Sequence, residues 1–450
     1  MTFNIFVLLL FLRLPSTTKG HTQDPEQPVG AWTAPVDPSL KWTECLPGPV
    51  QEAGQTACVA APNSDTASIP ATNNPEPSRW APWTHRPFCA DKNNKHCVFT
   101  SAPSHFNTRH LDPDTGVSII ADPYTALKSF TIFIHPSHLS PTNASTAVNS
   151  ESETGPPYEI RAIPGKGKGL VATRDIAKGQ VIMADTAAVI VDGAVERRAT
   201  PEDFEALMRR AVEQVPRVEQ ILALSTNPTT TTTKSTTAGA DSLHVDIFRN
   251  NAYGIVVGER SYSVMYPGVA RANHACRPNA IKPSNDAIST ALLVAIRDIT
   301  AGEEITISYI EPLPSQARKA KLLRTWGFTC TCSLCTSPPA EQAASDVRRA
   351  TIESIAPSDI ADKMENSDFL SAVATLKKLF GLMLTEELVW NAASHYDGLA
   401  RLYYRAGDRQ EAKRYARLAL VEYEMYLVDS GGEEVNKSMA ELEMLVASIK

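Results

Sequence analysis

The spacing of apolar residues divides the chain into an irregular first part, a strand-rich centre and a helical end. Residues 21 to about 95 are rich in Pro, Thr and Asn, and "HCVFTS" and "TGVSIIAD", which follow, have the pattern of short strands before a polar linker at residues 140–157. After Tyr158, the runs "GLVATRDI", "GQVIMAD" and "AAVIVDG" are rich in β-branched residues and broken by glycines. This pattern predicts small twisted sheets and argues against a doubly wound fold.

A helical stretch and a low-complexity loop interrupt these strands. Residues 201–224 have a helical pattern that opens with Thr200 and Pro201, a favourable cap and first-turn pair. The threonine-rich segment "NPTTTTTKSTTAGA" offers nothing that a core could use, so we expect a loop. The strand pattern returns in "TALLVAIRDI" and "EEITISYI".

From about residue 341 onward the pattern is helical. One stretch has the spacing of a tetratricopeptide helix pair, carried by Tyr396, Leu399, Ala400, Tyr403, Ala412, Ala416 and Ala419. A single unit of this kind cannot bury its own apolar face, so it should pack on neighbouring helices or on the strand-rich core. A plain helical hairpin explains the same spacing.

The chain begins with an apolar run at residues 5–12, which is followed by Pro15 and small polar residues. The run is too short for a membrane span, which needs about twenty residues, but it suits a secretory signal cleaved near Gly20. We therefore expect a signal peptide and a location in the secretory pathway or outside the cell. A buried N-terminal strand or a membrane anchor is the alternative, with the cytoplasm or nucleus as the location if the segment is not a working signal.

The overall composition and charge of the chain indicate which classes of binding partner to expect. Of the 450 residues, 43% are apolar and 21% are charged, and the formal net charge is −7. Such a balance is ordinary for a globular protein and gives no support to direct nucleic-acid binding, which needs a basic face. We expect no nucleic-acid partner, no membrane span beyond the N-terminal segment, and a monomer.

The eight cysteines form two groups of four. The first group is Cys45, Cys58, Cys89 and Cys97. In a secreted chain these four could form two disulfides, with three possible connectivities.

The second group contains a C-x-C-x-x-C array in "WGFTCTCSLC". Its members are Cys330, Cys332 and Cys335, and Cys276 is the remaining cysteine of this part of the chain. Three closely spaced thiolates leave one position of a tetrahedral zinc site open, and Cys276 could fill it. We interpret the group as a four-thiolate zinc site, with a disulfide or free thiols as the alternatives.

Four segments, taken in order, resemble the motifs of a SET-domain lysine methyltransferase: "GKGKGLVATRDIAKGQVI", "RANHACRPNA", "AGEEITISYI" and "WGFTCTCSLC". Their order and spacing are similar to the branch that combines SET and MYND domains, and the layout resembles uncharacterised fungal SET-domain proteins. The resemblance covers about residues 158–337. No cluster of Cys and His interrupts residues 170–270, so the MYND module of that branch is missing.

The resemblance implies a site for the cofactor S-adenosylmethionine. The residues that it assigns to this site are Lys166, Gly167, Lys168, Gly169, Asn251, Asn273, His274 and Phe328. Asn273 would bond the methionyl part, the backbone of His274 would meet the adenine, and Phe328 would cover the adenine ring. "NHAC" would form a knot-like crossing beside "ITISYI". Asn250 is an alternative to Asn251, because a one-residue shift in the alignment exchanges them.

Tyr309, at the end of "ITISY", resembles the active-site tyrosine of the family. Methyl transfer from a sulfonium to an amine is an in-line displacement, which requires a positioned, neutral amine but no metal and no covalent intermediate. A packed strand tyrosine is the structural alternative for Tyr309. For His274, a structural role within the crossing is preferred to an acid–base role.

These observations predict an α+β protein in five parts. The parts are a signal peptide (1–20), an irregular Trp- and Cys-rich region with a linker (21–157), a SET domain (158–312, with an insert at about 194–248), a post-SET zinc-binding segment (313–340) and a helical, tetratricopeptide-like C-terminal domain (341–450). The expected function is S-adenosylmethionine-dependent N-methylation of a protein substrate that presents a lysine. A catalytically silent SET fold that binds a peptide or partner is the alternative. A secreted structural protein is a third possibility, based only on the signal and the possible disulfides.

Overall fold

The computed structural model describes residues 83–91, 95–101, 116–133, 155–225, 243–257, 259–283, 289–389, 392–426 and 433–449. The predicted signal peptide, Cys45, Cys58 and the threonine-rich loop lie outside the described residues. The chain divides into two compact units. The described residues of the first lie within Thr17–Ser140 and Thr186–Pro267, and those of the second within Pro141–Asp185 and Gly268–Lys450.

Strands and helices both contribute, so the protein is α+β, as predicted. The described strands are β1 (Phe88–Cys89), β2 (Cys97–Ser101), β3 (Val117–Ala121), β4 (Tyr158–Ile163), β5 (Gly167–Ala172), β6 (Val181–Thr186), β7 (Val189–Asp192), β8 (Ala252–Val257), β9 (Arg260–Met265), β10 (Asn273–His274), β11 (Ala280–Ile281), β12 (Thr290–Ala295) and β13 (Glu304–Ile307). The described α-helices are α1 (Pro123–Phe133), α2 (Gly193–Arg198), α3 (Pro201–Gln214), α4 (Val218–Leu222), α5 (Leu243–Asn251), α6 (Ser315–Trp326), α7 (Ser333–Thr336), α8 (Pro339–Ser354), α9 (Pro357–Glu365), α10 (Phe369–Thr385), α11 (Ala392–Ala406), α12 (Arg409–Tyr426) and α13 (Glu433–Ser448).

The first unit is built on a six-stranded sheet with the order β1-β2-β3-β7-β9-β8. β3 and β7 are parallel, and the other neighbouring strands are antiparallel. The predicted strands "HCVFTS" and "TGVSIIAD" are β2 and β3, which confirms them. Cys89 and Cys97 lie opposite each other on β1 and β2 and form a disulfide.

A proline divides the helix that the sequence predicts over residues 201–224. α3 opens with Thr200 as its cap and Pro201 in its first turn, as predicted. Pro216 lies between α3 and α4, where it has no N–H to donate and disfavours a helical conformation in the residue before it. The prediction of one continuous helix is therefore wrong at residues 215–217.

The second unit contains two smaller sheets, β10-β13-β5-β4 and β11-β12-β6. β10 lies parallel to β13, with Asn273 opposite Thr306 and His274 opposite Ile307. The predicted crossing of "NHAC" with "ITISYI" is thereby confirmed. Because β13 also pairs with β5, the first three motifs meet in one sheet.

Asn279 holds this crossing in place, and it is only 1% exposed. Its Oδ1 accepts a hydrogen bond from the Thr306 N–H at 2.8 Å. Its Nδ2 donates to the Glu304 carbonyl oxygen and to Glu303 Oε1, both at 2.9 Å. Its own carbonyl oxygen accepts from the Ile296 N–H at 2.9 Å. The buried amide is therefore fully used, which is the condition under which a polar group stabilises a protein interior.

The helices from α8 to α13 pack around an apolar core of their own. The predicted tetratricopeptide-like pair is α11 and α12, and its buried members are Leu399, Ala400, Ala412, Ala416 and Ala419. α12 also contacts the strand-rich part, since Lys178 Nζ lies 2.6 Å from Glu422 Oε1. A Cβ atom on Gly179 would lie 3.1 Å from Met425 Cγ, so a glycine permits this close approach. None of the described helices is long and apolar enough to cross a lipid bilayer.

Candidate functional site

A tight hairpin presents the first of the predicted cofactor residues. β4 and β5 pair closely up to the turn, and Gly165 and Gly167 have φ values of 74° and 75°. Residues with side chains rarely adopt this left-handed conformation, so the turn itself requires the first two glycines of "GKGKG". Between them, Lys166 donates its N–H to the Ile163 carbonyl oxygen at 3.0 Å.

Glu304 joins two of the predicted cofactor residues. Its Oε2 lies 2.6 Å from Lys166 Nζ, and its Oε1 accepts a hydrogen bond from Asn273 Nδ2 at 2.9 Å. A Cβ atom on Gly169 would lie 2.5 Å from Asn273 Nδ2, so this glycine leaves the space that the amide occupies. The side chains of Lys166 and Glu304 are 22% and 19% exposed, so a ligand can reach them.

The chemistry of this cluster suits a zwitterion. One cation, one anion and one amide lie side by side, which is complementary to an amino acid group with its ammonium and carboxylate. The cluster therefore fits the methionyl end of S-adenosylmethionine.

Sequence reasoning does not find Glu304. The available signal is a Gly-Glu-Glu turn, which is common and means little alone. The role of Glu304 appears only through strand register, because β13 lies next to β5 and places Glu304 opposite Val171. Lys166 is 138 positions away in the sequence.

His274 is 3% exposed and makes two contacts within the crossing. Its Nδ1 accepts a hydrogen bond from the Tyr309 N–H at 3.0 Å, so its proton is on Nε2, which lies 3.4 Å from Cys276 Sγ. Burial lowers the pKa of His274 to about 4, although the neighbouring Cys332 acts in the opposite direction. Both nitrogens are thus occupied, which favours the structural role for His274.

Tyr309 lies two residues beyond the end of β13, and its hydroxyl donates a hydrogen bond to the Ala272 carbonyl oxygen at 2.8 Å. Burial, together with the nearby charge of Glu304, raises the phenol pKa above its ordinary value. Tyr309 therefore stays neutral at physiological pH. Because its proton is donated to the Ala272 carbonyl, the hydroxyl oxygen is left to accept a hydrogen bond from a bound group.

Aromatic rings surround this tyrosine. The ring centroids of Tyr309 and Trp326 are 5.3 Å apart, and Phe328 lies edge-on to Tyr309 at 6.5 Å. Phe328 is also 6.2 Å from the His274 ring and remains partly exposed. The structure therefore brings the predicted tyrosine, histidine and phenylalanine together around an apolar surface.

Two further predicted cofactor residues have different surroundings. Lys168 is exposed on β5 and, as the neighbour of Gly169, faces the opposite side of the strand. Asn251 ends α5 in the first unit, where its Nδ2 donates to the Ile247 carbonyl oxygen at 2.8 Å. Their cofactor roles stay predictions.

The four cysteines of the second group converge. The Sγ atoms of Cys276, Cys330, Cys332 and Cys335 all lie within 4.8 Å of one another. Cys276 Sγ is 4.0 Å from Cys330 Sγ and 3.7 Å from Cys335 Sγ, and none of the four is in a disulfide. Zn–S bonds of about 2.3 Å in a tetrahedron give sulfur–sulfur separations of about 3.8 Å. The cluster therefore fits a zinc ion.

Comparison with known proteins agrees with this geometry. A family profile for the SET domain matches residues 167–310. The chain is similar to histone-lysine N-methyltransferase set5 of Schizosaccharomyces pombe, with 29% identity over 196 residues, which are 43% of this chain and 54% of that protein. It is also similar to N-lysine methyltransferase SMYD2 of Homo sapiens, with 32% identity over 114 residues, which are 24% of this chain and 26% of that protein.

A third relative is histone-lysine N-methyltransferase ATXR2 of Arabidopsis thaliana, with 43% identity over 76 residues, which are 16% of each chain. The chain thus spans about half the length of set5 and smaller shares of the other two relatives. The matched range 167–310 holds the glycine hairpin strand, the β10–β13 crossing and Tyr309. The ordered motifs, the parallel crossing and the profile match therefore agree that residues 167–310 form a SET domain, and over part of its length the chain is similar to proteins named as lysine methyltransferases.

Proposed function

We propose that the protein is an S-adenosylmethionine-dependent protein-lysine N-methyltransferase. The observation that carries this proposal is the position of Tyr309 in the same crossing as the cluster of Lys166, Glu304 and Asn273. Relatives named as lysine methyltransferases support the reaction class. The substrate in this proposal is a protein that presents a lysine side chain.

The cluster defines how the chain would hold its cofactor. S-adenosylmethionine supplies an electrophilic methyl group on a sulfonium. Lys166 is suited to the carboxylate of the methionyl end. Glu304 and the side-chain carbonyl oxygen of Asn273 are suited to the ammonium group of the same end. Phe328 offers a flat apolar face to the adenine. These contacts would fix the ligand at both ends, which is what an in-line transfer requires.

The aromatic surroundings of Tyr309 are suited to the accepting amine. A free lysine has a pKa of about 10.4, and transfer requires its neutral form. Tyr309, Trp326 and Phe328 offer an apolar surface on which a bound lysine would lose water contacts, and desolvation destabilises an ammonium ion. The neutral Tyr309 hydroxyl can then orient the amine or the methyl group by a hydrogen bond, without a covalent intermediate.

The zinc in this proposal is structural. Four protein thiolates complete a tetrahedral site and leave no open position for a substrate. Zinc would join the loop of Cys276 to the segment after α6. The metal would thereby hold Phe328, two residues before Cys330, next to the crossing.

We also propose that the chain enters the secretory pathway. The N-terminal apolar run supports this, as does the Cys89–Cys97 disulfide, because such bonds persist mainly in oxidising compartments.

The cluster of Lys166, Glu304 and Asn273 predicts that binding of the amino acid end of S-adenosylmethionine can be weakened without weakening binding of its adenosine end. Lys166→Met and Glu304→Gln should each weaken S-adenosylmethionine binding by roughly 10–100-fold, because each removes a charged hydrogen bond worth about 1.5–3 kcal/mol. Neither should change the affinity for 5′-methylthioadenosine, which lacks the amino acid group. Isothermal titration calorimetry measures both, with the exposed Lys378→Met as the control. A wild-type chain that binds neither ligand would contradict the proposed cofactor.

Tyr309→Phe tests catalysis. The change removes one buried hydrogen bond, worth about 1 kcal/mol, so the chain should still unfold cooperatively. Turnover should fall by roughly 10²-fold or more while cofactor affinity changes little, because the hydroxyl acts in the transition state. The assay transfers label from S-adenosylmethionine to a proteome extract, with Tyr404→Phe in the helical domain as the control. If the wild type binds the cofactor but labels nothing, the binding-module alternative gains. Equal labelling by the wild type and Tyr309→Phe would remove Tyr309 from the mechanism.

Elemental analysis tests the metal. The purified chain should contain one zinc ion, and Cys276→Ser should lower that content because one of four thiolates is lost. Thr331→Ala, at an exposed position between two of the cysteines, should retain the metal. Chelation should unfold the segment after α6, since binding energy of such a metal is folding energy. Full zinc content in Cys276→Ser would show that this cysteine is not a ligand.

N-terminal sequencing tests the location. Protein recovered from its natural cell should begin near residue 21, because signal peptides are removed on entry. An intact Met1 form recovered from the cytosol would overturn the proposal of secretion.

A further inference from the structure

A buried carboxylate in the C-terminal helices faces the loop that carries Cys276. Glu386 follows α10 and is fully buried. Its Oε2 accepts hydrogen bonds from Ser345 Oγ and Arg349 Nε, both at 2.7 Å, and its Oε1 accepts from Arg348 Nε at 2.6 Å. Burial raises the pKa of Glu386, but these three hydrogen bonds outweigh it and lower the pKa below its ordinary value. Glu386 is therefore a buried anion.

Arg349 connects this anion to the loop. Its side chain is 1% exposed, and while Nε binds Glu386, Nη2 donates to the carbonyl oxygen of Cys276 at 2.8 Å. The next residue of the loop, Arg277, places its Nη2 3.5 Å from Glu386 Oε1. Two successive loop residues are thus tied to one carboxylate of the helical domain.

Buried positive charge exceeds buried negative charge here. Arg318 is also 1% exposed, and it lies one turn before Leu322, which packs on the cysteine cluster. Its Nε and Nη2 are buried and have no hydrogen-bond partner among the described residues. Glu386 is fully buried, whereas the side chain of Asp346, beside Arg318, is 30% exposed. Arg318 and Arg349 are thus both buried, but only Arg349 binds the fully buried Glu386, while Arg318 lies 3.7 Å from the partly exposed Asp346.

Zinc chemistry accounts for this excess. Four thiolates around a divalent ion carry a net charge of −2. A buried net charge needs compensation from nearby opposite charges. Arg349 is suited to this because Glu386 fixes its guanidinium against the backbone of a metal ligand.

We propose that Arg349 is a positioning residue of the metal site: held by Glu386, it fixes the Cys276 backbone and offsets the charge of the metal–thiolate group. Metal retention then depends on the C-terminal helices. The inference rests on the zinc site of the proposed function but does not depend on methyl transfer.

The test measures the rate at which the full-length chain gives up zinc to a chromophoric chelator. Arg349→Met keeps the alkyl stem but loses the charge and the donors. It should release zinc roughly 10–100-fold faster, the usual effect of removing a group that supports a metal ligand. Arg348→Met is the matched control, because Arg348 binds the same carboxylate without a hydrogen bond to Cys276; it should change the rate far less. Arg349→Lys should give an intermediate rate, because lysine keeps the charge but lacks the planar fork that spans both acceptors.

A spectroscopic measurement separates positioning from folding stability. In the cobalt-substituted chain, loss of a nearby positive charge raises the energy of the sulfur electrons. The thiolate-to-cobalt absorption band should therefore move to longer wavelength in Arg349→Met and return toward the wild-type position in Arg349→Lys. It should stay unchanged in Arg348→Met.

The possible outcomes are distinct. A wild-type chain without bound metal would overturn the zinc site itself and, with it, this inference. If the wild type holds zinc but Arg349→Met and Arg348→Met release it equally fast with unshifted bands, Arg349 has only a structural role and this inference alone fails. If Arg349→Met does not fold, Arg349→Lys against Arg348→Met decides by the same comparison.

Discussion

The parallel pairing of β10 with β13 depends on one buried amide. Asn279 bonds the backbone of β13 through both ends of its side chain, and its own carbonyl binds the segment after β12. Because these partners saturate it, the amide stabilises one arrangement and leaves competing registers with an unpaired buried group. The pairing in turn places Asn273 beside Glu304 and His274 beside Tyr309. The candidate site is thus a consequence of the crossing.

Two ion pairs of the second unit differ in solvent exposure and therefore in what they can do. The Lys166–Glu304 pair is partly exposed, and such pairs contribute little to stability, so a ligand can exchange partners with them at low cost. The Arg349–Glu386 pair is sealed from solvent. Breaking it would leave an uncompensated buried charge, so it holds its neighbours in fixed positions. One pair is suited to recognition and the other to rigidity.

The sequence was sufficient for features that depend on local pattern or ordered motifs. The small sheets, the crossing and the convergence of the four cysteines follow from spacing and resemblance. Glu304 and the bond from Arg349 to Cys276 do not, because they depend on strand register and on packing between residues 73 positions apart. The parallel pairing of β3 with β7 is missed for the same reason. Pro216 is visible in the sequence. However, the residues on both sides of it have helical spacing, and this spacing alone predicts one continuous helix.

The distribution of the cysteines also constrains how the protein is made. Cys89 and Cys97 are 8 positions apart and can pair as soon as both have been synthesised. Cys276 precedes Cys330 by 54 positions, so in a chain that folds as it emerges it is a lone thiol until its later partners appear. A thiolate without its metal is open to exchange with any disulfide nearby. In an oxidising compartment, formation of the zinc site would then depend on two rates. One is the rate at which Cys276 is oxidised, and the other is the rate at which zinc binds once Cys335 has completed the set of four ligands.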